Sequence, residues 1–326
     1  MQLNQDQKRF FSECYNSIEL YQDLSRNMRI TEQNIEELWD DLPILDKTDI
    51  VNNQDRIIYP PAIAKNLNGT LHEVYTSGTT GECLQVTWSY GDARRSLSSL
   101  WAVRKQRFDI APPERMCFFR ASSRSCNSEK AIFEKVSETQ IAIYKESVTL
   151  ESSSRIHNLI SSFSPVWMIV QPSIIQIIIS AWKEKGLKPP KSIKYIECTG
   201  EMLSVPEKRE IEDFFGCQVM DQYGTMEVNS IACSCECGKM HVMDSNVIVE
   251  VVDKHGKTHR EGEGEICVTS LTNRSMPFIR YKTGDHGRLV SKTCSCGRRG
   301  SILELSYGRV NDKLIVDGRE KYLYIV

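Results

Sequence analysis

Apolar positions in the first sixty residues recur at helical spacing. Phe10, Phe11, Cys14, Ile18 and Tyr21 fall on one face, which predicts an amphipathic helix packed on a core. Thr31, followed by Gln33 and Asn34, predicts a second short helix ending near Trp39. Pro60-Pro61 and Asn68-Gly69 then punctuate the chain. From about residue 70 strands and helices alternate. Glu73–Tyr75 reads as strand, Ala93–Phe108 as helix, Val166–Gln171 as strand, Pro172 to about Lys185 as helix, and Ile193–Cys198 as strand. Pro206 to near Gly216 reads as helix and Cys217–Asp221 as strand. This alternation predicts an α/β fold with a mostly parallel, helix-covered sheet. After about 240 the pattern turns to short strands between Gly, Asp and Asn turns: Val247–Val252, Gly264–Thr269, Phe278–Tyr281 and Ile302–Leu305. These predict an antiparallel or barrel-like subdomain. The organisation expected is a helical region 1–60, an α/β core 61–240, a β-rich subdomain 241–312 and a short segment 313–326.

Composition narrows the class. A chain of 326 residues, 40% hydrophobic and 26% charged, has the balance of an ordinary globular protein. Its 41 Lys+Arg against 43 Asp+Glu leave a net charge of -2, which argues against nucleic-acid or membrane-surface partners. No window approaches the ~18 consecutive apolar residues of a spanning helix. The polar N-terminus lacks a secretory core, so a cytoplasmic location is expected. Phe10, Phe11 and Trp39 are left to face either the core or a second copy, which keeps a homodimer open.

Two groups of residues carry chemistry. Thr76-Ser77-Gly78-Thr79-Thr80-Gly81 follows a predicted strand; its glycines let backbone N–H groups turn toward an anion, and its hydroxyls add donors. It is not a Walker loop, because no Lys-Ser/Thr follows the second glycine. Further down, Gly200-Glu201, Tyr223-Gly224-Thr225-Met226-Glu227, Tyr281–Asp285 and Gly308–Asp312 each follow a predicted strand, the end at which open α/β sheets bind ligands. The second group is cysteine. Of twelve cysteines, Cys233, Cys235, Cys237, Cys294 and Cys296 form two tight clusters, with C-x-C-G at 235–238 and again at 294–297. Such spacing points to a structural zinc rather than disulfides, with His241 and Cys233 competing for a fourth position.

These motifs resemble, in order, those of adenylate-forming enzymes of the acyl-CoA synthetase superfamily, on its phenylacetate–CoA ligase-like branch. Leu42-Pro-Ile-Leu-Asp-Lys47 resembles that branch's N-terminal signature, and the likeness runs from about residue 40 to 326. The resemblance implies the large N-terminal domain of such an enzyme. It assigns Ser77, Gly78, Thr79, Thr80 and Gly81 to the phosphates of ATP, and Glu227 to Mg²⁺. Gly200, Glu201, Tyr223, Gly224 and Thr225 fall to the nucleotide's base side, Asp285 to the ribose, and Arg309 to ribose or phosphates. Thr79, Thr80 and Glu227 are the catalytic set. The implied activity is ATP-dependent conversion of an aryl or acyl carboxylic acid to an acyl-adenylate, with AMP released on transfer to coenzyme A. The alternatives are a carrier-protein thiol or an amine as acceptor, or a non-catalytic zinc-stabilised nucleotide-binding protein. The resemblance favours Cys235, Cys294 and Cys296 as zinc ligands and leaves Cys237 and His241 both open. Relatives carry Pro near the position of Cys83. They also carry a C-terminal lid with a catalytic lysine. Here 313–326 matches only the hinge and the lid's start, so the lid is expected to be absent from this chain, and no residue is assigned to that lysine.

Overall fold

The computed structural model describes residues 2–61, 71–76, 83–122, 131–309, 313–316 and 319–322, from 307 on by backbone alone. The described chain forms two compact units. One holds residues 1–99, 224–232 and 236–325; the other holds 100–223 and 233–235. The helical N-terminal stretch therefore shares a unit with the antiparallel strands.

In the first unit, Asn4 and Gln7 form a reciprocal capping box that starts α1 (Gln5–Ser17), and α2 (Glu19–Leu24) follows. The apolar stripe is core: Phe11, Cys14, Ile18, Tyr21 and Trp39 are fully buried, and the Phe11 and Trp39 rings meet at 5.4 Å. Phe10 and Trp39 thus face inward rather than toward a second copy. The helix expected from Thr31 to Trp39 is not formed. Residues 32–37 are turns, and a 3₁₀ turn covers Trp39–Asp41. Single helical bonds persist without a continuous ladder, Ile35 N to Thr31 O at 3.1 Å and Leu38 N to Asn34 O at 3.0 Å, while the Asn34 side chain accepts from Thr31 N at 2.8 Å and donates to Arg29 O at 2.7 Å. Helix α3 (Lys47–Val51) is capped by Asp46. The hairpin β1 (Leu71–Tyr75) and β2 (Gln85–Ser89) then leads into α4 (Tyr90–Phe108).

The second unit carries β3 (Met116–Arg120), β4 (Phe133–Ser137), β5 (Gln140–Tyr144), α5 (Ser153–Phe163), β6 (Trp167–Val170), α6 (Pro172–Glu184), β7 (Tyr195–Thr199), α7 (Val205–Phe215) and β8 (Gln218–Thr225). The sheet order is β8-β7-β6-β3-β5-β4. All pairs are parallel except β4 with β5, as the alternating pattern predicts. Ser204 and Glu207 box the start of α7, and Gly216 ends it at φ 65°. Its core is aliphatic, from Ile141, Ile143, Ile156, Val170, Ile179 and Ile196 around Trp182.

The remaining strands belong mainly to the first unit: β9 (Asn229–Ser234), β10 (Met240–Val242), β11 (Val247–Val252), β12 (Thr258–His259), β13 (Gly262–Ser270), β14 (Tyr281–Ser291) and β15 (Ser301–Arg309), with the small hairpin β16 (Lys313–Val316) and β17 (Arg319–Tyr322). The β11–β13–β14–β15–β10 pairings are antiparallel. The strand expected at Phe278–Tyr281 is displaced: Tyr281 opens β14 rather than closing a strand. Arg280 is left-handed at φ 52°, and the Ile279 and Arg280 N–H groups bond the Tyr21 and Thr269 hydroxyls instead of a ladder. Among the described residues no helix is long and apolar enough to cross a membrane.

Candidate functional site

Ser77, Gly78, Thr79, Thr80 and Gly81 lie outside the described residues. The ends of their loop are fixed by hairpin registry. Tyr75 pairs with Gln85, Thr76 N donates to Leu84 O at 3.0 Å, and Leu84 N donates to the Thr76 hydroxyl at 3.0 Å.

In the same unit Gly224–Glu227, the part of the motif after Tyr223, runs from the end of β8 into a turn at 226–228. Trp88 Nε1 donates to Met226 O at 3.1 Å, and Tyr281 Oη donates to Glu227 Oε1 at 2.9 Å. Glu227 and Tyr281 are both buried, at 6% and 2% exposure. Among the described residues the buried Thr225 hydroxyl has no hydrogen-bond partner, an arrangement that costs about 1–3 kcal/mol unless something bonds it. Asp285 sits in β14, flanked by register shifts at Glu265/Cys267 against β13 and at Asp285/Gly287 against β15, and it stands opposite Arg309. Bulges of this kind re-aim side chains near sites.

In the other unit, Gly200 takes φ +85° directly after β7, a conformation that disfavours any side chain. The Thr199 hydroxyl donates to Gln222 Oε1, and Gln222 Nε2 donates to Tyr223 O at 3.1 Å. Glu201 is committed elsewhere: its carboxylate accepts from Ser173 N at 2.9 Å and Ser173 Oγ at 2.8 Å, at the N-terminus of α6. Its role visible here is to tie the Gly200 turn to that helix. No motif announces the buried pair of Arg104 and Glu197. Arg104 Nη2 meets Glu197 Oε1 at 2.6 Å, Tyr195 Oη donates to Glu197 Oε2 at 2.7 Å, and the guanidinium lies 4.6 and 4.7 Å from the Trp101 and Trp167 ring centroids. This set fixes β7 two residues before Thr199.

Asp221, two residues ahead of Tyr223, has its carboxyl pushed up to about 7 by burial, against the lowering influence of Lys208 and of the Gln222 N–H. An unfolded carboxyl releases its proton near pH 3.9. The native state holds that proton longer, so stability falls as pH rises from about 4 to 7 and stays reduced above that. Asp221→Asn is therefore expected to raise Tm by several degrees at pH 8 and to leave it unchanged at pH 4. Scanning calorimetry at both values checks this, and equal shifts at the two would refute it.

In the first unit His241, Cys294 and Cys296 come together: their ligand atoms lie within 4.8 Å of one another, with Cys296 Sγ 3.5 Å from His241 Nε2. His241 sits in β10 opposite Ile302. Cys294 and Cys296 sit on a tight turn closed by Gly297 N to Cys294 O at 2.9 Å. Cys237 is exposed on the turn after Cys235, and neither it nor Cys233 is in the group. Of the two residues the sequence left open, the structure gathers His241.

The AMP-binding enzyme family model matches residues 32–273. The chain belongs to that family. Phenylacetate-coenzyme A ligase of Thermus thermophilus is 29% identical over 171 residues, which is 50% of this chain but 38% of that enzyme, so the matched region spans well under half the relative's length. Protein CapK of Staphylococcus aureus is 23% identical over 327 residues, covering 97% of this chain and 69% of CapK. Among solved structures, an open conformation of 2-hydroxyisobutyryl-CoA ligase in complex with 2-HIB-AMP and CoA superposes with a TM-score of 0.72 at 20% identity. That alignment covers 97% of this chain and 76% of the other. At that identity the likeness establishes the α/β fold of this family member.

Proposed function

We propose that this AMP-binding family member activates a small carboxylic acid with ATP and passes the acyl group to the thiol of coenzyme A. The observation that carries the reading is Glu227: a buried carboxylate at the end of the Tyr223–Glu227 motif, held by Tyr281 and two residues from the Thr225 hydroxyl, which has no partner among the described residues. Hard oxygen donors of this kind suit Mg²⁺ and phosphate. The substrate carboxylate is already ionised near neutrality, so it attacks the α-phosphorus directly and pyrophosphate leaves. Thiol attack on the acyl-adenylate then releases AMP. The chain's part is positioning and charge neutralisation. Ser77, Thr79 and Thr80 hold the β- and γ-phosphates, Glu227 holds Mg²⁺, and Tyr223 lies along the base. Asp285 accepts from the ribose hydroxyls, with Arg309 opposite it in register. Bound Mg²⁺ supplies neutralisation of the leaving pyrophosphate.

The thiolate–imidazole set at His241, Cys294 and Cys296 suits a tetrahedral zinc, whose ligands at Zn–S of about 2.3 Å stand roughly 3.8 Å apart, with Cys235, from the first C-x-C-G repeat, as the proposed fourth ligand. We assign it a structural role. The catalytic reading is tested by acid-dependent ATP–pyrophosphate exchange across a panel of aryl, hydroxy and aliphatic acids. At least one class should stimulate exchange well above the acid-free rate. No stimulation by any class, together with no calorimetric binding of ATP, would overturn it.

A further inference from the structure

The geometry points to Tyr281 as a positioning residue for the metal-binding carboxylate, and to the Leu42–Lys47 segment as the strap that fixes Tyr281; this rests on the proposed role of Glu227. The Tyr281 hydroxyl donates to Glu227 Oε1 across 54 residues of sequence. A carboxylate on a turn loses side-chain freedom when it takes up a metal. A donor already holding one of its oxygens removes part of that cost and aims the other oxygen.

The phenol can do this only if its own backbone is fixed, and the backbone is fixed on both sides. Leu45 N donates to Arg280 O at 2.9 Å, and Lys282 N donates to Leu45 O at 2.8 Å, so Leu45 forms a parallel bridge with Tyr281 itself. Arg280, fully buried, donates from Nη1 to Trp39 O and Leu42 O and from Nη2 to Thr258 Oγ1. Glu250 lies 3.6 Å from Arg280 Nε and accepts from Trp39 Nε1 at 3.1 Å. A buried ion pair of this kind is a weak source of stability but specifies geometry. The Phe278 ring packs against Tyr281 at 5.2 Å. The Leu42–Lys47 motif, which touches no part of the nucleotide site in sequence, thereby acquires a function: it sets the register of β14 so that Tyr281 reaches Glu227.

The test uses Mn²⁺ as the probe, a carboxylate-seeking stand-in for Mg²⁺, bound to the ATP complex of the full chain and followed by electron paramagnetic resonance. Tyr281→Phe removes one oxygen and keeps the ring. It should weaken Mn²⁺ binding about tenfold, the scale seen when a residue supporting a metal ligand is lost, with ATP affinity in EDTA unchanged. In a Glu227→Gln background the same substitution should add nothing further. In wild type, Mg²⁺ addition to the ATP complex should also shift the Tyr281 ¹³Cζ resonance. Unaltered Mn²⁺ affinity in Tyr281→Phe, an equal loss in the Glu227→Gln background, or a silent Tyr281 resonance each overturns the inference. Failure of wild type to bind Mn²⁺ in the presence of ATP would instead overturn the proposed role of Glu227 itself.

Discussion

Glu227→Gln is expected to lower Mg²⁺-dependent ATP–pyrophosphate exchange by about 10²–10³-fold, the scale on which removing one preorganised charge-stabilising group acts. The substitution separates charge from structure. Glutamine keeps Oε1 as an acceptor for the Tyr281 hydroxyl, so the turn at 226–228 and its tie to Trp88 persist. What is lost is the negative charge that a divalent cation requires. Because burying a charge is costly in itself, the neutral variant should be at least as stable as wild type, and Tm should not fall. Nucleotide binding measured by calorimetry in EDTA should also survive, since the contacts proposed for it are those of Ser77–Gly81 and Asp285. Exchange at wild-type rate in Glu227→Gln would remove Glu227 from the metal site, however well the variant folds.

How much of this was legible in the sequence follows from how local each signal is. The strand at Val247–Val252 is found at the residues its β-branched run marks, and α7 lies between the Pro206 and Gly216 signals. The cysteine repeat placed Cys294 and Cys296 beside each other, because a C-x-C turn brings its thiols together within a few bonds. The choice of His241 over Cys237 needed the register of β10 against β15, a relation between distant segments. The same limit hid Tyr281 from Glu227 and Arg104 from Glu197. Both are long-range pairs whose members read singly as an ordinary aromatic and ordinary charges. The two misplaced elements fail for a related reason. Around Asn34 the helical pattern yields separate single turns rather than a continuous ladder, and Arg280 is left-handed inside a β-favouring run, with its guanidinium donating to Trp39 O and Leu42 O. In both places tertiary context overrides local propensity.

Loss of the metal at the Cys/His group should be the largest perturbation of stability. Purified protein is expected to carry one equivalent of zinc by elemental analysis, and Cys294→Ser or His241→Ala should abolish it. Zinc bound far more tightly than its working concentration stabilises the native state by mass action, about 4 kcal/mol at a thousandfold excess over Kd. For 326 residues each kcal/mol moves Tm by roughly 1.5 °C, so stripping the metal with a strong chelator should lower Tm by about 6 °C. The loss should be felt first at the tight turn at 294–297 that carries Cys294 and Cys296, and hydrogen exchange there should rise first. Cys237→Ser is the discriminating control. The residue is exposed and outside the group, so its removal should leave zinc content and Tm unchanged. If Cys237→Ser strips the metal and His241→Ala does not, the ligand set drawn from the geometry is wrong. If no variant contains zinc and chelation leaves Tm where it was, the four side chains are packed thiols and an imidazole with no structural ion between them.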